Sequence, residues 1–323
     1  MACILIIFCI DEFVLEVWFG PNKFLDVNFL IISGAAMMLV VIWLARNIFR
    51  EIENTLRRLV KRGTILLKTT DLEKSIRSLS YYANIWGVIA GFGCAIAGLL
   101  LFYSVERFND FRNSYQSILS VIGVFIGARY GGEMLYFGFL GRFLSKENAT
   151  IATKPRHVDG AAGLKPIGDY YFYQAKLVAI PALFLILWWF IMKVWSFPDT
   201  SWVDLYLGLF FGFLAAEVLA FVLPMLYFHE EMRHQKVDHL ATADDLGLRI
   251  EELQKQISET NSDKQQIVLK SQLANMRDTY WDIENMPTWP VDMSTRRRFA
   301  LSNIVLFVPV CFEFLQKWWK TLF

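Results

Sequence analysis

Ionisable side chains within apolar stretches carry most of the chemical potential of this sequence, because a charge at membrane depth is costly and such residues are rare. Arg129 and Glu133 stand four residues apart in one apolar run and so share a helix face, and Glu217 stands in another. Counted from the ends of their runs, Arg129 and Glu217 reach depths that agree within about one turn, at ~1.5 Å per residue. The spacing predicts that Arg129 is neutralised by Glu133, Glu217 or both. Such a cluster is either an ion-pair lock that sets helix register or part of a water-filled or proton-coupled path in which Glu217 titrates.

A second group lies in polar segments. The stretch His157-Val158-Asp159-Gly160-Ala161-Ala162-Gly163-Leu164-Lys165-Pro166-Ile167-Gly168 combines proline and glycine so densely that a fixed, non-helical backbone is expected. It lacks the Gly–Lys–Ser/Thr spacing of a phosphate loop. His157 and Asp159 have the chemistry to ligate a metal or shuttle a proton, although a turn with Asp159 bonded to backbone amides is the expectation. Glu230 and His234 share a helix face and would complete a metal site only if the fold brought them to His157 and Asp159. These four residues are weak metal candidates, and no cofactor is expected.

The elements that must position these groups follow from hydropathy. With 55% hydrophobic and 20% charged residues, and a net charge of +1, the chain departs from ordinary globular composition, in which about a quarter of residues are charged. The balance excludes disorder and offers no electrostatic basis for nucleic-acid binding. Crossing ~30 Å of hydrocarbon takes about 20 apolar residues, and six stretches qualify: 24–45, 84–105, 117–140, 170–195, 203–228 and 299–318. Residues 1–23 read as an amphipathic or interfacial segment, with a seventh span as the alternative. The loops within 46–83 and 142–169 and the segment 229–298 carry 24 of the 32 basic residues, so they are expected on the cytoplasmic side. Cys3, Cys9, Cys94 and Cys311 show no metal-ligand spacing and read as small buried hydrophobes.

Small residues at four-residue spacing mark helix-packing faces: Gly87 and Gly91; Gly123, Gly127 and Gly131; Gly208 and Gly212. Intramolecular packing of these three spans is expected, with an oligomeric seam as the sharper alternative. Residues 46–62 place Ile48, Ile52, Leu56 and Leu59 opposite arginines and lysines, a pattern suited to lying on anionic headgroups. Leu246, Ile250, Leu253 and Ile257, then Leu269, Leu273, Met276 and Tyr280, form two coiled-coil-like seams separated by a polar break at 261–263. They predict an antiparallel helical hairpin, with Ser262 and Gln265 as a capping box for its second arm. It returns through Trp289, Pro290 and Asp292 to Arg296, Arg297 and Arg298, which would hold the start of the last span inside.

The loop from His157 to Gly168 resembles a His-x-Asp-Gly-x-Gly-Gly-Leu pattern of uncharacterised bacterial multi-spanning inner-membrane proteins. The Trp289-Pro290-Val291-Asp292 segment resembles a Trp-Pro-Phe-Asp stretch similarly placed in them. Here Ala162 stands where that pattern usually has its second glycine. The resemblance covers roughly the C-terminal half and implies a bacterial inner-membrane setting, without an activity.

The expectation is an all-α polytopic membrane protein with about six transmembrane helices and a cytoplasmic antiparallel helical hairpin. A five-span bundle over 24–228 is followed by the cytoplasmic hairpin and linker over 229–298 and a last span within 299–323. Three functions fit: an oligomeric channel or conduit with a cytoplasmic gating or assembly module, a sensor or scaffold docking a cytoplasmic partner, and a membrane-embedded metal-dependent enzyme. The expected partners are the lipid bilayer, further copies of the chain and a cytoplasmic protein, with no nucleic acid.

Overall fold

A computed structural model describes residues 28–104, 111–194, 200–259 and 262–322. The expected interfacial segment 1–23 lies outside the described residues. In chain order the helices are α1 (Asn28–Ala45), α2 (Ile48–Arg62), α3 (Thr69–Ser104), α4 (Phe111–Phe137), α5 (Leu140–Lys146), α6 (Lys165–Val194), α7 (Thr200–Glu259), α8 (Asp263–Glu284) and α9 (Met293–Leu322). A short antiparallel ribbon pairs β1 (Ile65–Leu66) with β2 (Thr150–Ile151), Ile65 opposite Ile151. It is too short to be read from alternation.

The protein is all-helical, and three of its helices, Thr70–Leu101, Lys165–Lys193 and Tyr206–Glu259, are long and apolar enough to cross a membrane among the described residues. Apolar helices suit a membrane because every backbone polar group is satisfied within the segment. Helix α6 is the centre of the molecule. It meets α1, α2, α7 and α9, and Tyr171, Ala175, Ala182, Ile186 and Trp189 along it are almost wholly buried. Trp188 Nε1 donates to Ser33 on α1 at 3.0 Å, and the Tyr173 hydroxyl donates to the Leu44 carbonyl at 2.7 Å.

The amphipathic stretch 46–62 departs from expectation. Its apolar face does not ride on lipid: Ile48, Ile52, Leu56 and Leu59 are at most 1% exposed and belong to the main core with Tyr170, Tyr171 and Phe228. A turn at Arg46–Asn47 separates α2 from α1, and Gly63, left-handed at φ 65°, ends it. An apolar stripe opposite cations fits a protein groove and a bilayer surface equally well, and the tertiary fold supplies the groove.

The small-residue faces also divide differently from the expected three-helix contact. Helices α3 and α4 pack closely, and a Cβ on Gly87 would meet Arg129 O at 2.8 Å. On Gly91 it would meet Phe125, and on Gly132 it would meet the Trp86 carbonyl oxygen at 2.6 Å. Gly127 faces Met38 of α1, and among the described residues a Cβ on Gly123 would find only Met38, at 4.0 Å. On Gly131, Gly208 or Gly212 a Cβ would have nothing within 4 Å among the described residues. Thus α7 does not use its glycines to join α3 and α4. It packs on α6 through Phe210, Leu214 and Phe221, which are bulky and buried. Cys94 and Cys311 are exposed on the helices that carry them, contrary to their reading as buried hydrophobes; Cys3 and Cys9 lie outside the described residues.

Helix α7 runs without interruption for 60 residues, and α8 packs against it. The seam positions Leu246, Ile250, Leu253, Ile257, Leu269, Leu273, Met276 and Tyr280 are partly covered, while Leu248, Ile267 and Val268 stay exposed. Ser262 precedes the first residue of α8 as expected, but its side chain makes no capping hydrogen bond.

Candidate functional site

The loop between β2 and α6 is built around Asp159. Its Oδ1 accepts from the amides of Ala161 at 3.0 Å and Gly163 at 2.9 Å, and His157 Nδ1 lies 3.0 Å away. Arg62, at the end of α2, reaches Oδ2 at 3.3 Å. Asp159 thus organises a turn, as the sequence suggested, and also anchors that turn to α2. Lys154 adds to the anchor by donating to the Arg62 carbonyl oxygen.

Three residues of this turn have positive φ: Gly160 at 66°, Ala162 at 51° and Gly163 at 92°. Ala162 is the residue that stands where the resembled pattern has glycine, and its backbone shows what glycine would provide there. A left-handed alanine costs roughly 1 kcal/mol relative to glycine. Replacing Ala162, whose side chain is 1% exposed, also removes a buried methyl, worth up to ~0.8 kcal/mol. Ala162→Gly is therefore expected to leave thermal stability unchanged or raise it slightly in a melting experiment. A loss of several degrees would show that the methyl contact outweighs the strain.

The two sequence motifs, more than 120 residues apart, meet here. Lys165 Nζ donates to Asp292 Oδ2 at 2.7 Å. Asp292 Oδ1 accepts from the amide of Thr295 at 2.9 Å, which caps α9, and Oδ2 also accepts from the Ser294 hydroxyl at 2.9 Å. Partial burial pushes the Asp292 carboxyl up, but the hydrogen bonds from Lys165, Thr295 and Ser294 outweigh it and hold the carboxyl well below the usual range. A Cβ on Gly168 would fall 2.3 Å from the Pro290 carbonyl oxygen and 2.4 Å from Val291 Cγ1. Pro166 lies beside it in the first turn of α6, buried. Thr295 Oγ1 donates to Asp169 at 3.3 Å.

Helix α7 grips the same connection from the other side. The His229 ring stacks on Trp289 at 4.3 Å, and its Nδ1 donates to the Thr288 carbonyl oxygen at 2.7 Å. Lys236 Nζ donates to the Glu284 carbonyl oxygen at 2.7 Å and to that of Met286 at 3.1 Å. Gln235, which the sequence did not single out, accepts from the amide and hydroxyl of Thr153 at 2.8 and 2.6 Å and donates to the Ile151 carbonyl oxygen. No spacing rule marks a lone glutamine on a polar helix. Arg156 is paired with Asp282 near the end of α8.

Within the helices the polar groups fall into two separate sites. Arg129 pairs with Glu133 at 3.6 Å and donates to Asn84 Oδ1 of α3 at 2.8 Å. Gly87, one turn beyond Asn84, leaves the room in which Glu133 lies. Glu217 is not part of this cluster: it is 1% exposed, and its Oε1 accepts from Asn303 Nδ2 of α9 at 3.3 Å. Its Oε2 has no hydrogen-bond partner among the described residues. Depth counted along a helix leaves the azimuth undetermined, and Glu217 faces α9 instead of Arg129. Asn84 and Asn303 were legible only as polar residues near or within apolar runs.

The weak metal candidates form two distinct pairs. Glu230 and His234 make an exposed contact of 3.2 Å on α7, while His157 and Asp159 are engaged in their turn. Among the described residues no three or more metal-ligating side chains come together. Comparison with protein-family models, with curated proteins and with solved structures finds no match.

Proposed function

We propose that this chain is an oligomeric conduit of a bacterial inner membrane, with six spans, a cytoplasmic helical hairpin formed by the distal part of α7 with α8, and α9 as the helix whose position is controlled. In this arrangement α1, α4 and α9 are spans additional to α3, α6 and α7, the helices that are long and apolar enough among the described residues. The basic loops lie in the cytoplasm, and α9 lines the path.

The observation that carries this reading is the continuity of α7. One unbroken helix bears Glu217, buried against Asn303 of α9, and beyond it His229 and Lys236, which hold the segment leading into α9. Displacement of the hairpin would therefore be transmitted both to the start of α9 and to its polar contact within the bundle. A buried carboxylate whose sole described partner is a neutral amide is an expensive feature for a helix lock, and it suits a helix contact that must change.

The test uses the full chain in detergent and in vesicles. Light scattering should give a multimer, and pyranine-loaded vesicles should show proton flux above empty ones. Glu217→Gln keeps an oxygen for Asn303 but removes the ionisable group, so flux should fall at least about tenfold while the oligomer and its melting temperature persist. A monomer, or flux no greater than in empty vesicles, would sink the conduit.

One observation favours a scaffold as the second reading. Leu248, Ile267, Val268 and Trp281 are more than half exposed on the polar helices, where bilayer does not explain them. A cytoplasmic partner seated on these residues would protect them from solvent without any flux. The separation of His157 and Asp159 from Glu230 and His234 gives the metal-dependent enzyme no assembled site to start from.

A further inference from the structure

Helix α9 presents opposite faces of different character. Phe299, Asn303 and Leu306 turn inward: Phe299 stacks on Phe221 at 4.3 Å, Asn303 meets Glu217, and Leu306 is 4% exposed. Arg297, Leu301, Ile304 and Val308 recur at spacings of four, three and four residues on the other face, one continuous stripe. The three apolar members are about 60% exposed. Arg296 and Arg298 flank the head of this stripe and are exposed as well. Among the described residues none of the three guanidinium groups has a carboxylate within ion-pair distance.

Helix energetics alone do not account for three arginines there. The start of a helix carries partial positive charge, which favours anions and opposes cations. From Arg297 to Val308 the helix rises ~16 Å at ~1.5 Å per residue, about the depth of one leaflet's hydrocarbon. A cationic head above an apolar stripe of that length is complementary to one kind of molecule, an amphiphile with an anionic head and an acyl tail.

We propose that α9 seats an anionic phospholipid, with its phosphodiester at Arg296, Arg297 and Arg298 and an acyl chain along Leu301, Ile304 and Val308. The guanidinium forks match phosphate oxygens in geometry and charge. The stripe distinguishes a lipid from free phosphate, which would use the arginines alone. The seat rests on the placement of α9 as a span and is independent of the conduit reading.

Delipidated full chain in neutral detergent would be titrated with phosphatidylglycerol or phosphatidylcholine and read by native mass spectrometry. Phosphatidylglycerol is expected to be retained at one site per protomer, in preference to phosphatidylcholine. Replacing Arg296, Arg297 and Arg298 together by Gln should weaken that retention on the order of a hundredfold, from roughly fivefold per cation at an anionic surface. Leu301→Ser with Ile304→Ser should weaken it with the arginines intact, and excess inorganic phosphate or glycerol 3-phosphate should not displace the lipid. Equal retention of both lipids, or full displacement by inorganic phosphate, would overturn the seat. Arg297→Glu alone serves if the triple variant does not fold.

The span placement is checked separately in vesicles, with Cys3, Cys9 and Cys94 replaced by Ser. A charged thiol reagent that labels Cys311 overturns the placement of α9. A protected Cys311 without lipid preference overturns the seat alone.

Discussion

Gly168→Ala should lower the stability of the chain by about 3 kcal/mol or more, a fall of roughly 5–10 °C in apparent melting temperature. The reason is local and rigid. The added methyl would lie 2.3 Å from the Pro290 carbonyl oxygen, and a backbone carbonyl yields less readily than the end of a flexible side chain. Relief requires the segment 287–292 to move off the first turn of α6, which would stretch the 2.7 Å contact between Lys165 and Asp292 and tilt the capped start of α9. Gly208→Ala is the matched control, because no atom of the described residues lies within 4 Å of its added carbon and alanine is the better helix former by about 1 kcal/mol. An unchanged melting temperature for Gly168→Ala would mean that the two motifs do not touch as described.

Asp292→Ala should cost about 2–3 kcal/mol near neutral pH, combining a lost helix cap of about 1 kcal/mol with a lost charge-assisted hydrogen bond. Its pH dependence is the more specific signature. In the folded chain the Asp292 carboxyl is held below its ordinary range, whereas in the unfolded chain it titrates near pH 4. The unfolded state therefore binds the proton first as the medium is acidified. The stabilisation is fully present above about pH 4 and declines as pH falls below it towards the depressed folded value. Thermal melts of the detergent-solubilised chain from pH 7 to pH 3 should show this acid limb. Asp292→Asn should flatten it, since an amide still caps α9 but no longer carries the charge that Lys165 meets. A wild-type limb of identical shape in Asp292→Asn would assign the acid loss to other carboxylates.

The two experiments address the same joint from its two sides. Gly168 tests how closely the loop and the pre-helix segment approach, and Asp292 tests the charge that holds them. Both are separable from Glu217, which lies against α9 within the bundle. A chain that loses stability at Gly168 but keeps its flux in Glu217→Gln would retain the joint and remove Glu217 from the path, while a chain with no flux at all would leave the exposed apolar side chains of α7 and α8 as the better guide to function.

Much of the helical architecture was legible because apolar run length and periodicity are properties of consecutive residues. The helices α1, α3, α4, α6, α7 and α9 carry the six apolar stretches, up to the few residues outside the described part, except that the stretch 117–140 runs past the end of α4 at Phe137 through a turn to Leu140 of α5. The seam from Leu246 to Ile257 marked the partly covered face of α7 for the same reason. The turn at Asp159 was legible too, since an aspartate followed by glycines satisfies its own backbone locally.

What consecutive residues could not decide was which surface each face would meet. The stripe of α2 went to the protein core, Gly208 and Gly212 met nothing among the described residues, and Glu217 turned to Asn303 instead of Arg129. Each is a question of azimuth and of partner across tens of residues. Hydropathy does not distinguish lipid from protein as the medium around an apolar side chain. The meeting of Gly168 with Pro290 and of Lys165 with Asp292 belongs to the same category: each motif was visible alone, and the packing of α6, α7 and α9 around them made the two a single joint.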